Sequence, residues 1–132
     1  MPDKITLYKI KKPEKQNLNS ELQWFSQSLG LFNKRDKEKS CFRIFIVLVE
    51  AKKIKRFFSS DEIADKSNLT RATVIHHLKN LEEHGLIRQE NKRYSLSNNN
   101  LSLIIKNLES EIRKTIEDLK EAAEELDKKL EI

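Results

Sequence analysis

The sequence predicts a mostly α protein with a small β element (α+β), and three observations predict it. Only two glycines and two prolines occur in 132 residues, too few for a turn-rich β architecture. Apolar residues recur at helical spacing through most of the chain, and over residues 101–130 they do so without a break. Between the helical stretches, "LIRQENKRYSLS" alone offers two short strand-like runs about a polar turn.

Residues 1–17 read as an arm. Ile5, Leu7 and Ile10 alternate around Tyr8, enough for one strand, before a Lys-rich stretch with Pro13. "LNSELQWFSQSLGLF" then spaces Leu18, Leu22, Phe25 and Leu29 as one face of a helix that Gly30 ends. The charge run "NKRDKEKS" (33–40) reads as a solvated linker or helix start. "CFRIFIVLVEA" has only Arg43 and Glu50 as polar residues, which marks a buried central helix over 41–53. A short strand is expected at Arg56–Phe58. Ser59 followed three residues later by Glu62 is capping-box spacing and opens a helix over 60–66. Thr70 caps the next helix, which Gly85 stops, and the strands Leu86–Gln89 and Arg93–Leu96 flank a Glu90-Asn91-Lys92 turn. The chain therefore divides into an N-terminal arm with an amphipathic helix (1–39), a central unit (40–98) and a long C-terminal helix (99–132).

Helix, strand, helix, three-residue turn, helix and hairpin, in that order, make a helix-turn-helix with a wing. Over residues 41–98, and above all in "FSSDEIADKSNLTRATVIHHLKNLEEHGLIRQE", the sequence resembles the winged helix-turn-helix transcription regulators of the ArsR-like and MarR-like type. The resemblance implies a sequence-specific regulator of transcription that binds double-stranded DNA as a homodimer. It places recognition helix 70–84 in the major groove and wing 86–97 on the backbone. The first forty residues lie outside it.

Helical geometry supports this assignment independently. With 100° per residue, Val74, Leu78 and Leu81 fall within about 60° of one another and form a buried stripe. Ala72, Thr73, His76, Lys79 and Asn80 then face outward, with Thr70 and Arg71 at the helix start. Arg71 suits a guanine or a phosphate, and Ala72, Thr73 and Ile75 suit a thymine methyl. His76 and Asn80 can hydrogen-bond base edges, while Lys79, and Lys92 and Arg93 on the hairpin, suit phosphates.

Leu101, Ile105, Leu108, Ile112, Ile116, Leu119, Ala123, Leu126 and Leu130 repeat at the helical period, with Leu101, Ile112 and Ala123 eleven apart. That spacing suits a nearly straight, coiled-coil-like helix better than a left-handed supercoil. Its simplest partner is the same helix of a second copy, crossing antiparallel or joining a small bundle. Leu101, Ile105, Leu108, Ile112, Ile116, Leu119 and Leu126 are the expected dimerisation residues. Truncation after Asn99 is expected to leave a monomer. The alternative partner is the Leu18–Leu29 helix of the same chain.

All three histidines fall within "TRATVIHHLKNLEEHGLI", yet no pair can chelate one ion. His76 and His77 diverge by about 100°, and His77 and His84 are separated by about 10.5 Å of helix rise. The helix before the recognition helix, "SDEIADK", lacks the paired cysteines of metal-sensing ArsR-like proteins. No catalytic motif or phosphate loop occurs, so neither enzyme activity, metal nor cofactor is expected. His77 and His84 are expected to pack at the domain edge. One cysteine, Cys41, and no apolar run long enough to cross a bilayer point to a cytoplasmic protein without disulfides. Residues 1–60 carry 14 Lys/Arg against 6 Asp/Glu, whereas 61–99 balance at 6 and 6. That balance sustains two alternatives: a winged-helix module that binds protein or RNA, and an architectural protein that binds duplexes without sequence preference. Trp24 and Phe25 could line an effector pocket, although core packing is the simpler use.

Overall fold

A computed structural model describes residues 2–31, 35–36 and 38–132; positions 33, 34 and 37 of the charge run lie outside them. Five helices run in chain order: α1 (Leu18–Ser28), α2 (Ser40–Lys53), α3 (Ser60–Ser67), α4 (Arg71–Glu83) and α5 (Leu101–Leu130). Strand β1 (Phe58–Ser59) precedes α3, and β2 (Ile87–Glu90) and β3 (Arg93–Leu96) form the hairpin. The antiparallel sheet has the order β1-β3-β2.

Local chemistry explains each boundary. The Asn17 side chain accepts from the Ser20 amide at 2.9 Å while Ser20 Oγ accepts from the Asn17 amide, a capping box with serine in the usual Glu place. Helix α2 has no such cap on Lys39; instead the Cys41 amide donates to Asp36 Oδ2 at 3.2 Å. Ser59 and Glu62 make the expected capping box of α3, each bond 3.2 Å long. Thr70 caps α4 through the Thr73 amide, and Asn100 caps α5 through the Leu103 amide.

One core holds these elements. Ile44, Phe45, Leu48 and Ala51 of α2 meet Ile63 of α3, Val74, Leu78 and Leu81 of α4, Leu86 just before β2, and Phe58, Ile87 and Leu96 of the sheet. Arg43 closes the helix-turn-helix from within α2. Its guanidinium donates to the carbonyls of Ser67 and Asn68 at the end of α3, where helix carbonyls lack intrahelical partners. Helix α1 joins the core through Phe25, whose ring stacks on Phe45 with centroids 6.4 Å apart.

Four expectations are corrected. The first strand begins at Phe58 rather than Arg56, because Lys55 takes a left-handed turn (φ 57°) and the Arg56 amide closes back onto the Ala51 carbonyl. The wing turn is two residues, not three. Asn91 and Lys92 both have positive φ (50° and 61°), the type I′ geometry that matches strand twist, so Glu90 pairs with Arg93 inside the ladder. The arm forms no strand. Its amides instead reach carbonyls singly, Asp3 and Lys4 to Glu83 at 2.8 and 3.0 Å and Tyr8 to Ser28 at 2.8 Å.

The fourth correction concerns α5. Leu108 is 6% exposed and packs, with Ile104 at 1%, in the chain's own core, and Leu101 lies partly buried beside them. Leu101 and Leu108 are therefore occupied within the protomer, where the first two turns of α5 join the core cluster. Beyond Ile112 every residue of the helix is exposed. Truncation after Asn99 would remove part of the core as well as the free helix.

Candidate nucleic-acid interface

The outer face of α4 is built by its inner one. Burial of Val74, Leu78 and Leu81, each at most 1% exposed, fixes the helix rotation and turns Arg71, Ala72, Ile75, His76 and Lys79 outward. Thr70 and Thr73 sit at the start of that face. Their hydroxyls bond each other at 2.9 Å as part of the cap. Thr73 is half-buried, leaving Thr70 as the more accessible of the two.

Asn80 departs from its expected place. It is half-buried, and its side chain bonds the Cys41 thiol at the head of α2. At roughly 240° on the wheel, it faces the α2 side of the helix rather than the open side. Burial pushes that thiol up to about 12, reinforced by the Asp36 carboxylate.

The histidines separate into three environments. His76 is exposed, with its ring edge-on to His77 at 5.3 Å. His77 is half-buried and lies 4.0 Å from Asp36. Burial holds its pKa below the ordinary histidine value, against the opposing pull of Asp36, with His76 adding to the depression. The Asp36 carboxyl sits below its usual range although burial opposes this, because the Ser40 and Cys41 amides favour its charged form. His84 hydrogen-bonds the Asn80 carbonyl at 2.9 Å and the Thr6 hydroxyl at 3.1 Å. No group of three or more His, Cys, Asp or Glu side chains is placed to hold a metal among the described residues.

The cations around α4 are mostly tethered. Arg71 lies 3.5 Å from Asp61, with both side chains well exposed. Arg93 and Arg56 converge on Glu62 at 3.6 and 3.5 Å. Hydrogen bonding from the Ser59 amide, with help from these arginines, lowers the Glu62 pKa. Such exposed pairs are worth little, about 0–1 kcal/mol, so a phosphate can displace the carboxylate. Lys92 stands at the wing tip and Lys79 on the open helix face, both exposed. Glu83, the acid on the same face, lies 3.9 Å from Lys4 of the arm. Sequence reasoning missed Lys4, because its place beside α4 depends on the Asp3 and Lys4 amides capping the Glu83 carbonyl.

Residues 59–88, which span the α3 cap, the turn, α4 and the first wing residues, match the family model described as winged helix-turn-helix DNA-binding. No curated protein and no solved structure matches the chain. The protein thus has a winged helix-turn-helix fold, with residues 59–88 similar to a DNA-binding family of that fold, flanked by an N-terminal extension and a long C-terminal helix. No helix among the described residues is long and apolar enough to cross a membrane.

Proposed function

We propose that this protein is a sequence-specific regulator of transcription that binds double-stranded DNA as a homodimer. The observation that carries the reading is the outer face of α4, where Ala72, Ile75, His76 and Lys79 stand exposed on a helix held rigidly by its buried stripe. In this reading α4 lies in the major groove. Arg71 exchanges Asp61 for guanine or phosphate, and Ala72 and Ile75 meet thymine methyls. His76 bonds a base edge, Thr70 and Thr73 contact the backbone at the helix start, and Lys79, Lys92 and Arg93 take phosphates. Asn80 supports the helix from inside.

The winged unit, residues 40–98, reads the DNA, and residues 99–132 join two copies. Ile105, Ile112, Ile116, Leu119 and Leu126 form the shared stripe, whose exposed part is left uncovered by the described residues of one chain. A two-fold pair sets its recognition helices about 34 Å apart, one turn of DNA, and reads a pseudo-palindrome. We place the protein in the cytoplasm of a prokaryotic cell, without a bound cofactor and without enzymatic activity.

Selection of bound sequences from a random duplex pool tests the reading, followed by mobility-shift titration of the winners. A shared motif, lost in part by Arg71→Ala and His76→Ala, is the expected result. Binding of all duplexes alike would favour an architectural role. The internal pairing of Arg71, Arg88 and Arg93 with Asp61, Glu90 and Glu62 favours instead a module for protein or RNA. Absence of duplex binding at about 50 mM salt, where phosphate contacts are strongest, would select that module.

A further inference from the structure

We propose that the outer face of the wing sheet, with the α2–β1 loop beside it, is a second phosphate-binding surface on which DNA flanking the site of α4 seats. This rests on the DNA-binding reading and extends it: duplex held by α4 curves past the wing tip onto the sheet.

Strand register defines the surface. Paired residues share a face and successive ones alternate. The face that carries Phe58, Tyr94, Ile87 and Leu96 into the core therefore turns Arg88, Ser95 and Arg93 the other way. Phe57, one residue before β1, continues that outer row. The Arg88 guanidinium lies 5.1 Å over its ring, and Ser95 between them is 1% exposed. The row is two residues, roughly 7 Å, from the Glu90–Arg93 pair beside the wing turn. It thus prolongs the line of Lys92 and Arg93.

Charge decides the occupant. The loop supplies Lys52, Lys55 and Arg56 and the hairpin Arg88, Lys92 and Arg93, six cations against the two acids Glu62 and Glu90. Lys53 and Glu50 pair with each other, and Glu111, on the α5 side of Arg88, pairs with Lys114. The outer face of α4 is balanced by comparison, Arg71 and Lys79 against Asp61 and Glu83. Lys52 is partly buried beside Arg88, and burial, then the Arg88 charge, hold its pKa below the usual lysine value. An anion between two such like charges relieves them. The surface offers little to a protein helix, which needs a buried apolar centre. Phe57 is partly covered, and Ile54 is the one large apolar side chain well exposed there among the described residues. Spaced cations instead neutralise backbone phosphates. Because the sheet and α4 face away from the core in different directions, one duplex touches both only by bending round the wing, and the added contacts offset the bending.

Neutralising three of these cations tests this on the full chain. Combined Lys52→Gln, Lys55→Gln and Arg88→Gln keeps long side chains, so Phe57 stays covered, and helical circular dichroism checks the fold. Against a long mixed-sequence duplex, the slope of log affinity with log salt is expected to shrink by about 2.7, at roughly 0.9 per phosphate contact. Lys55→Gln alone, on the exposed loop, is expected to shrink it by about 0.9. The preference for a selected duplex over the mixed one should not change, because phosphate contacts carry no sequence information. Permuted fragments bearing the selected site are expected to migrate as bent DNA with the wild type and as straighter DNA with the triple variant. Lys52→Arg, Lys55→Arg and Arg88→Lys together, which keep the charges, are expected to preserve slope and bend. An unchanged slope in the Gln variants, or fragments bent equally by wild type and triple variant or by neither, overturns the proposal and leaves the DNA-binding reading standing. So does loss of self-association in the triple variant with duplex binding intact, which would assign the surface to the acidic end of a second copy's α5. A wild-type chain that binds no duplex overturns both.

Discussion

Helices α4 and α5 carry the same kind of pattern and meet different fates. In α4 the stripe Val74, Leu78 and Leu81 is closed on all sides by α2, α3 and the sheet. In α5 the stripe enters the same core only through Leu101, Ile104 and Leu108, and then runs on past the edge of the domain. Leu119 and Leu126 remain 60% and 54% exposed. An amphipathic pattern states that a helix needs an apolar partner; where the partner comes from depends on what the rest of the chain can reach. A thirty-residue helix is roughly 45 Å long, and no single small core extends that far.

The contrast breaks most visibly at its buried end. Leu78→Ala is expected to cost about 2–5 kcal/mol in denaturant unfolding, the range for emptying a closed core site. Leu126→Ala in diluted, monomeric protein should change stability by no more than about 0.5 kcal/mol. A large loss there would mean that the free half of α5 folds back on its own chain. Next in size, Leu119→Glu is expected to raise the dimer dissociation constant by roughly tenfold or more, read by sedimentation, since it places a charge in a desolvated seam.

The outer face of α4 gives a smaller effect. Lys79→Ala should weaken duplex binding similarly for all sequences and reduce the slope of log affinity against log salt by about 1. Discrimination lost between sequences would instead make Lys79 a base reader. The smallest effect is expected at His77. Burial depresses its pKa below the ordinary 6.5, so the unfolded chain binds its proton more tightly. Its contribution to stability is thus complete above about pH 6.5 and is lost as pH falls through the depressed folded value. His77→Gln should flatten that part of the stability curve, and an unchanged pH profile would place the titration elsewhere.

Much of the site was legible because it depends on local rules. Capping residues, the Gly85 stop and the spacing of Val74, Leu78 and Leu81 all act within a few residues. The wheel therefore put His76 and Lys79 outside before any tertiary contact was known. It misjudged Asn80, whose angle lies between open and covered sides. Only the position of α2, fixed by Asp36 at its head, makes that border an inner one. It also passed over Ile104 in favour of its neighbour Ile105. Both lie close to the stripe, and the docking of the first two turns selects the former for the core.

The arm was the least legible segment. Alternation at Ile5, Leu7 and Ile10 suggested a strand, yet a strand needs a sheet edge beside it. The arm lies against Gly85, the end of α4 and α1, where isolated carbonyls rather than a ladder receive its amides. The sequence by itself determined the helices, their caps, the wing and the rotation of α4, because each follows from hydrogen bonds and apolar spacing within a single element. Tertiary structure alone decided the path of the arm, the inward turn of Asn80 and the point where α5 leaves the core. Those outcomes depend on which distant surfaces meet, and no local periodicity encodes that.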